Sequence, residues 1–297
     1  TYKEIKGTQI EVLSSDPSNP VEGQVWYNST SNVLKGSAAT TVGSWATGGN
    51  LNTARQGLRG SGIQTAALAV GGQGGGPTNE LQQITELYNG SSWTEVNNPN
   101  LARSLAGATG TQTSTLYFGG AAPNTAATES WNGTNWTTVN SLNTARSQAG
   151  GAGDNTAALA FGGGSGSANA QTELWNGTNW TETTDLSKAR EGGASSGTQT
   201  SALFAGGTPI PQAALTTTEE FTGAGAPIGA WSSGNAVNTA RAYAGASTAG
   251  TQDASIIFAG YTGTAYTGAT ESYNGTNWTE VNDMNTGRSA SAGAGTS

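Results

Sequence analysis

Six of the seven arginines stand at 55, 103, 146, 190, 241 and 288, separated by 48, 43, 44, 51 and 47 residues. A period of about 40 to 50 residues confines a chain to few folds, because each copy is one supersecondary unit that buries its faces only against its neighbours. The copy from Arg146 to Arg190 shows the parts. Small residues follow the arginine, then an apolar run, Ala157-Ala158-Leu159-Ala160-Phe161, stopped by Gly162-Gly163. After a variable loop come Glu173-Leu174-Trp175, Asn176-Gly177 and Trp180-Thr181-Glu182. The distance from arginine to glycine is 16 residues for Arg55 to Gly71, Arg103 to Gly119, Arg146 to Gly162 and Arg190 to Gly206, and longer only for Arg241 to Gly260.

Each copy reads as four strands. The small residues make the first, with Gly107 to Gly110 and Gly150 to Gly153 as candidates for an innermost strand where sheets crowd an axis. The second is a short apolar run ended by glycine: Leu68-Ala69-Val70, Leu116-Tyr117-Phe118, Leu159-Ala160-Phe161, Leu203-Phe204-Ala205 and Ile256-Ile257-Phe258. Such runs suit strands buried on both faces. Asn-Gly at 89, 132, 176 and 274 predicts a tight hairpin between the third and fourth strands, both residues tolerating positive φ. Aromatics flank it at fixed distance: Tyr88 with Trp93, Trp131 with Trp136, Trp175 with Trp180, Tyr273 with Trp278. The fourth copy departs, with Phe221-Thr222-Gly223 and a delayed Trp231.

A glycine pair after an apolar strand, followed by a spaced Tyr/Trp couple, resembles the Kelch repeat over about residues 45 to 297. The resemblance implies an all-β, Kelch-like β-propeller of about six four-stranded blades. The aromatic pair is one residue closer than in the usual Kelch spacing, and the basic and histidine positions of animal Kelch adaptors are missing, so an adaptor role does not follow.

Five complete blades are expected between residues 55 and 287. Asn32 to Gly36 and Ser44 to Thr47 read as the third and fourth strands of a sixth, and Ser289 to Ser297 as its first strand, so both ends share that blade. The chain is expected to continue past Ser297. Residues 1–31 have another texture and read as an N-terminal anchoring arm, with residues 32–297 as the propeller. The arm breaks at Ser14-Ser15-Asp16-Pro17-Ser18-Asn19-Pro20 and carries a short apolar strand at Val25, Trp26 and Tyr27. With no repeat to pack on, that strand is expected to dock on a partner.

The chemistry expected is structural. Arg55, Arg103, Arg146, Arg190, Arg241 and Arg288 recur once per copy, and so do Glu86, Glu129, Glu173, Glu219 or Glu220, and Glu271. A pair in every blade points to an ion pair that fixes geometry; a ring of arginines around an anion is the alternative. Trp93, Trp136, Trp180 and Trp278 are expected between sheets. Glu95, Glu182 and Glu280 also sit at one repeat position.

With no His and no Cys, the chain has no Ser-His-Asp or Cys-His site and no imidazole or thiolate metal site. That excludes the copper chemistry of the galactose-oxidase relatives of Kelch proteins. No cofactor, metal or catalytic residue is assigned, and glycoside hydrolysis by paired carboxylates stays formally open. Charge is sparse at 10% and net −8, which argues against nucleic-acid binding. No run of about 18 apolar residues is present, so no membrane insertion is expected. The loops between second and third strands, 73–85, 121–128, 164–172, 208–218 and 261–270, vary most and are the candidate binding surface.

The run from Asp16 to Asn28, followed by a Gly/Thr/Ala/Asn-rich Kelch-like array, resembles structural proteins of marine tailed bacteriophages, particularly cyanophages. It implies a non-enzymatic virion protein of tail or capsid. Its arm would bind other virion proteins or sister subunits, and its propeller would meet a host-surface glycan or protein. A secreted or cell-surface bacterial propeller that binds or cleaves glycans is the alternative, with an intracellular adaptor third.

Overall fold

The computed structural model describes residues 10–15, 17, 25–36, 44–75, 79–121, 123–209, 213–223, 229–289 and 292–295. Among them every regular element is a β-strand. The chain divides into two compact units, Thr1–Gly43 and Ser44–Ser297.

In the first unit β1 (Glu11–Leu13) runs parallel to β2 (Val25–Asn28), which is antiparallel to β3 (Val33–Gly36). The turn between β2 and β3 is shaped by Asn28, whose Oδ1 accepts the N–H groups of Thr30 and Ser31 at 3.1 and 3.0 Å. Sequence reasoning placed Val33 to Gly36 beside Ser44 to Thr47 in a blade. Instead Val33–Gly36 closes the nearer hairpin onto β2, whose short loop costs little chain entropy, and residues 44–50 contain no strand. Trp26, expected as an exposed anchor, is only 5% exposed. Val25 is exposed and Tyr27 partly buried. Asp16 and residues 18–24, where the phage-like run begins, lie outside the described residues.

The second unit holds five four-stranded antiparallel sheets among the described residues, each with its strands in chain order. Beside the first sheet, β4 (Arg55–Gln56) pairs with β7 (Gln73–Gly74); the sheet itself is β5 (Arg59–Ile63), β6 (Ala66–Val70), β8 (Thr85–Tyr88) and β9 (Trp93–Val96). The second is β10 (Gly107–Thr111), β11 (Ser114–Phe118), β12 (Thr128–Trp131) and β13 (Trp136–Val139). The third is β14 (Gly150–Gly153), β15 (Ala158–Phe161), β16 (Thr172–Trp175) and β17 (Trp180–Glu182). The fourth is β18 (Ala194–Thr198), β19 (Ser201–Ala205), β20 (Thr218–Thr222) and β21 (Ala230–Gly234), and the fifth β22 (Gly245–Ala246), β23 (Ser255–Phe258), β24 (Thr270–Tyr273) and β25 (Trp278–Val281). Each of these five sheets falls within one of the five copies expected between residues 55 and 287, and the architecture is all-β and propeller-like.

The second strands supply the core. Leu116, Tyr117 and Phe118 are buried, as are Leu159, Ala160 and Phe161, and each large side chain contributes about 1.5–3 kcal/mol. Small first strands make room for them: a Cβ on Gly107 would overlap the Phe118 ring. The first sheet inverts this arrangement. Arg59 stands at that first-strand place opposite Val70, and its Nε donates to Ala106 O at 2.6 Å.

First strands of successive sheets adjoin one another from β5 through β10, β14 and β18 to β22. Thr109 Oγ1 donates to Gly153 O at 2.8 Å, and Gly151 N to Ser195 Oγ at 3.1 Å. Residues 292–295 complete the circuit. Gly295 N donates to Gly62 O at 2.8 Å, while Gly295 O accepts from Ala249 N at 3.0 Å and Gly293 O from Thr248 Oγ1 at 3.2 Å.

The hairpins form as expected but by other means. Trp131 pairs with Trp136 across a four-residue loop, and only Gly133 in it takes positive φ. Asn132 acts through its side chain, Oδ1 accepting the N–H groups of Thr134 and Asn135 at 3.0 and 2.8 Å. Asn89, Asn176 and Asn274 repeat this arrangement. The loop is therefore an Asx turn, not a two-residue reversal.

Candidate functional site

Each repeat arginine enters just before its sheet's first strand and reaches back under the second strand to a glutamate on the third. The pairs are Arg55 with Glu86, Arg103 with Glu129 (3.3 Å), Arg146 with Glu173, Arg190 with Glu219 (2.7 Å) and Arg241 with Glu271, all with buried side chains. A second set of partners completes each carboxylate. Backbone N–H groups of Asn52, Asn100, Asn143, Ser187 and Asn238 donate to these glutamates at 2.6–2.8 Å. Backbone carbonyls hold the guanidinium groups, as in Arg103 Nη2 to Tyr117 O and Arg190 Nη2 to Phe204 O, both 3.0 Å. Burial lowers the pKa of Arg146, Arg190 and Arg241, and the facing glutamate opposes it. These charges tie the connection between sheets to the third strand.

Glu220, the alternative partner in the fourth copy, accepts the Tyr273 hydroxyl instead. Arg288 is exposed and makes no ion pair among the described residues. Trp136, Trp180 and Trp278 are buried between sheets, and each donates Nε1 to a threonine on the third strand of the preceding sheet: Thr85, Thr128 and Thr218, at 2.9, 3.1 and 3.2 Å. Trp93 is only partly buried and donates to Gly49 O.

The second-to-third-strand loops all leave from one end of the sheets, because each begins by pairing with the residue after a repeat arginine. The pairs are Gln56 with Gln73, Ser104 with Ala121, Ser147 with Gly164, Glu191 with Thr208, and Ala242 with Tyr261. Within loop 261–270, the Tyr261 and Tyr266 rings meet at a tilt of 59° with centroids 5.7 Å apart, and Tyr266 is 65% exposed. Residues 76–78, 122 and 210–212 of these loops lie outside the described residues.

At the centre of this face runs a feature that sequence reasoning missed. Gly57, Leu105, Gln148, Gly192 and Tyr243, each two residues after an arginine, have φ between 53° and 64°. From Leu105 onward, each N–H donates to the carbonyl of its counterpart in the previous sheet: Leu105 to Gly57 at 2.8 Å, Gln148 to Leu105 at 2.6 Å, Gly192 to Gln148 at 3.0 Å and Tyr243 to Gly192 at 2.6 Å. The left-handed conformation costs about 1–3 kcal/mol at each non-glycine position, and the series of hydrogen bonds offsets it. This series rims a narrow channel of about 60 Å³ lined by Arg59, Gly151, Ser195 and Gly293.

Glu191 also escaped notice, although it is the only acid directly after a repeat arginine. Its backbone is pinned to Thr208 in both directions, and the residue is 3% exposed. Burial pushes its carboxyl up to about 7; Tyr243 is raised by burial and then by Glu191. A carboxyl raised on folding contributes stability that is full below its ordinary value of 4.5 and is lost as pH climbs through about 7. Glu191→Gln should therefore gain stability relative to the wild type in urea melts taken from about pH 5 to about pH 8. Parallel pH profiles would show that the carboxyl is not held protonated.

The third-strand glutamates Glu86, Glu129, Glu173, Glu219 and Glu271 are each taken by a repeat arginine, whereas Glu191 is in no such pair among the described residues. Among the described residues no group of three or more His, Cys, Asp or Glu side chains could hold a metal. No family model matches the chain, and no curated protein sequence matches it. Fold and site together define a propeller-like, all-β repeat protein that gathers its unrepeated side chains on one loop face.

Proposed function

We propose that the chain is a non-enzymatic binding scaffold: a Kelch-like propeller with six blade positions whose loop face meets another macromolecular surface. The carrying observation is the division of labour between side chains. Repeated charged pairs are buried in the framework, whereas the unrepeated Glu191, Gln148, Tyr243, Tyr261 and Tyr266 lie on or beneath the face from which the variable loops leave.

The setting we propose is a phage virion, as a tail or capsid appendage, with the N-terminal unit attaching to other virion proteins or sister subunits. The run from Asp16 to Asn28 and the Gly/Thr/Ala/Asn-rich array support it. Because Val33–Gly36 belongs to the sheet of β2, the unit to remove in a test is residues 1–43. Deletion should abolish incorporation into purified particles, read by mass spectrometry, while residues 44–297 still fold. Normal incorporation of the truncated protein would sink the reading.

The second reading, a secreted or cell-surface glycan-binding propeller, is favoured by the exposed Tyr266 against the partly buried Tyr261, because amphipathic aromatics suit a wet binding surface. Tyr266→Ala should weaken retention on a glycan array by about tenfold under that reading, the ~1–2 kcal/mol typical of losing one aromatic contact.

A further inference from the structure

The fifth and first sheets do not pack against each other as the other neighbours do, and between them lies a cleft of about 500 Å³ lined by Trp45, Leu58, Tyr88, Trp93, Phe258 and Met284. The parts of a blade that are present there can be identified one by one. Residues 292–295 follow Arg288 as the first strands follow the other arginines, and their hydrogen bonds run sideways to Gly62, Thr248 and Ala249. Gly295 has φ 134°, matching Gly110 (126°) and Gly197 (109°), where the chain turns into a second strand. Trp45 meets Phe258 edge-on at 5.1 Å, as Trp180 meets Phe118 at 5.4 Å and Trp231 meets Phe161 at 4.9 Å. Trp45 therefore takes the fourth-strand place of a sixth position and residues 292–295 the first-strand place.

The groups that face the second- and third-strand places, which no described residue of 44–297 fills, are those without their repeat partners among the described residues. Arg288 is exposed, whereas the other five repeat arginines are buried against third-strand glutamates. Asn285 stands three residues before its arginine, where Asn52, Asn100, Asn143 and Asn238 donate their N–H to that glutamate. Trp93 donates to Gly49 O, whereas its counterparts donate to a third-strand threonine.

We infer that this cleft is a strand-acceptor site whose occupant is a β-hairpin of the same repeat: an apolar strand ended by Gly-Gly, then a strand reading Thr-Glu-x-aromatic. The glutamate would pair with Arg288 and take the Asn285 N–H, the threonine would take Trp93 Nε1, and the apolar strand would cover Phe258, Leu58 and Met284. Main-chain pairing supplies affinity and the Glu–Arg288 pair sets register. The inference rests on the six-position reading of the ring and not on the virion reading.

The test uses the full chain and a synthetic peptide with the sequence of residues 112–133, which span the second and third strands of the second sheet. Calorimetry should show saturable 1:1 binding, and hydrogen exchange should show protection at residues 44–50 and 292–295. Glu129→Gln in the peptide or Arg288→Ala in the protein should each weaken binding by at least about tenfold, and the two together by little more than either alone. Arg288 is exposed, so its replacement leaves the fold intact. No saturable binding, or equal binding of a scrambled peptide, would overturn the inference. So would a stable dimer in light scattering that excludes the peptide, because a second copy would then be the occupant.

Discussion

Replacing Arg146 by alanine should lower the stability of the propeller-like unit by about 3–5 kcal/mol, read as a shift in the urea midpoint at unchanged slope. The substitution leaves Glu173 buried, with only the Asn143 N–H at 2.7 Å to answer its charge. It also takes from Gln171 O one of two donors, the guanidinium at 2.8 Å, and leaves it the Gly162 N–H at 3.0 Å. Pairing the change with Glu173→Leu should recover much of the loss, because the uncompensated charge goes with the carboxylate. What stays lost measures the orphaned Asn143 N–H, about 1–3 kcal/mol. A loss below about 1 kcal/mol for Arg146→Ala alone would mean that the pair is solvated in solution and does not tie the strands together.

Trp180→Ala should cost about 3–5 kcal/mol, and Trp93→Ala less than half of that. Trp180 is buried, lies 5.3 Å from Trp175 and 5.4 Å from Phe118 between ring centroids, and donates Nε1 to Thr128. Its removal leaves a ring-sized cavity between two sheets and strands a buried hydroxyl. Trp93 keeps its cross-strand partner Tyr88 at 4.9 Å but has the cleft on its other side, so less packing is lost. Equal losses, measured under the same denaturant conditions, would mean that the cleft is closed in solution.

Strand order and the boundaries of the five sheets were legible because they rest on local signals: an apolar run, a glycine stop, an aromatic couple around Asn-Gly. The pairing of each arginine with a glutamate on the same sheet's third strand was partly legible, since both recur, but Arg146 could be matched on sequence with Glu129 or Glu173, and only Glu173 is its partner. Nothing local marks Leu105, Gln148 or Tyr243 as left-handed residues. Their conformation comes from the hydrogen bond that each makes to another sheet, and their side chains do not encode it. Val33–Gly36 misled for a related reason: a four-residue strand states which residues alternate, not which neighbour they pair with. Glu191 was visible as the one acid directly after a repeat arginine, but its raised pKa depends on burial that only the assembled sheets create.

The series of left-handed residues at the mouth is made wholly of backbone groups, N–H to carbonyl from one sheet to the next. Its geometry therefore places little demand on what the side chains at Leu105, Gln148 and Tyr243 are, and these three already differ in size and polarity. Mutational drift at such positions can change the lining of the mouth without repacking a sheet. Substitution at these positions could rewrite this face residue by residue while the arginine framework beneath it stays constant.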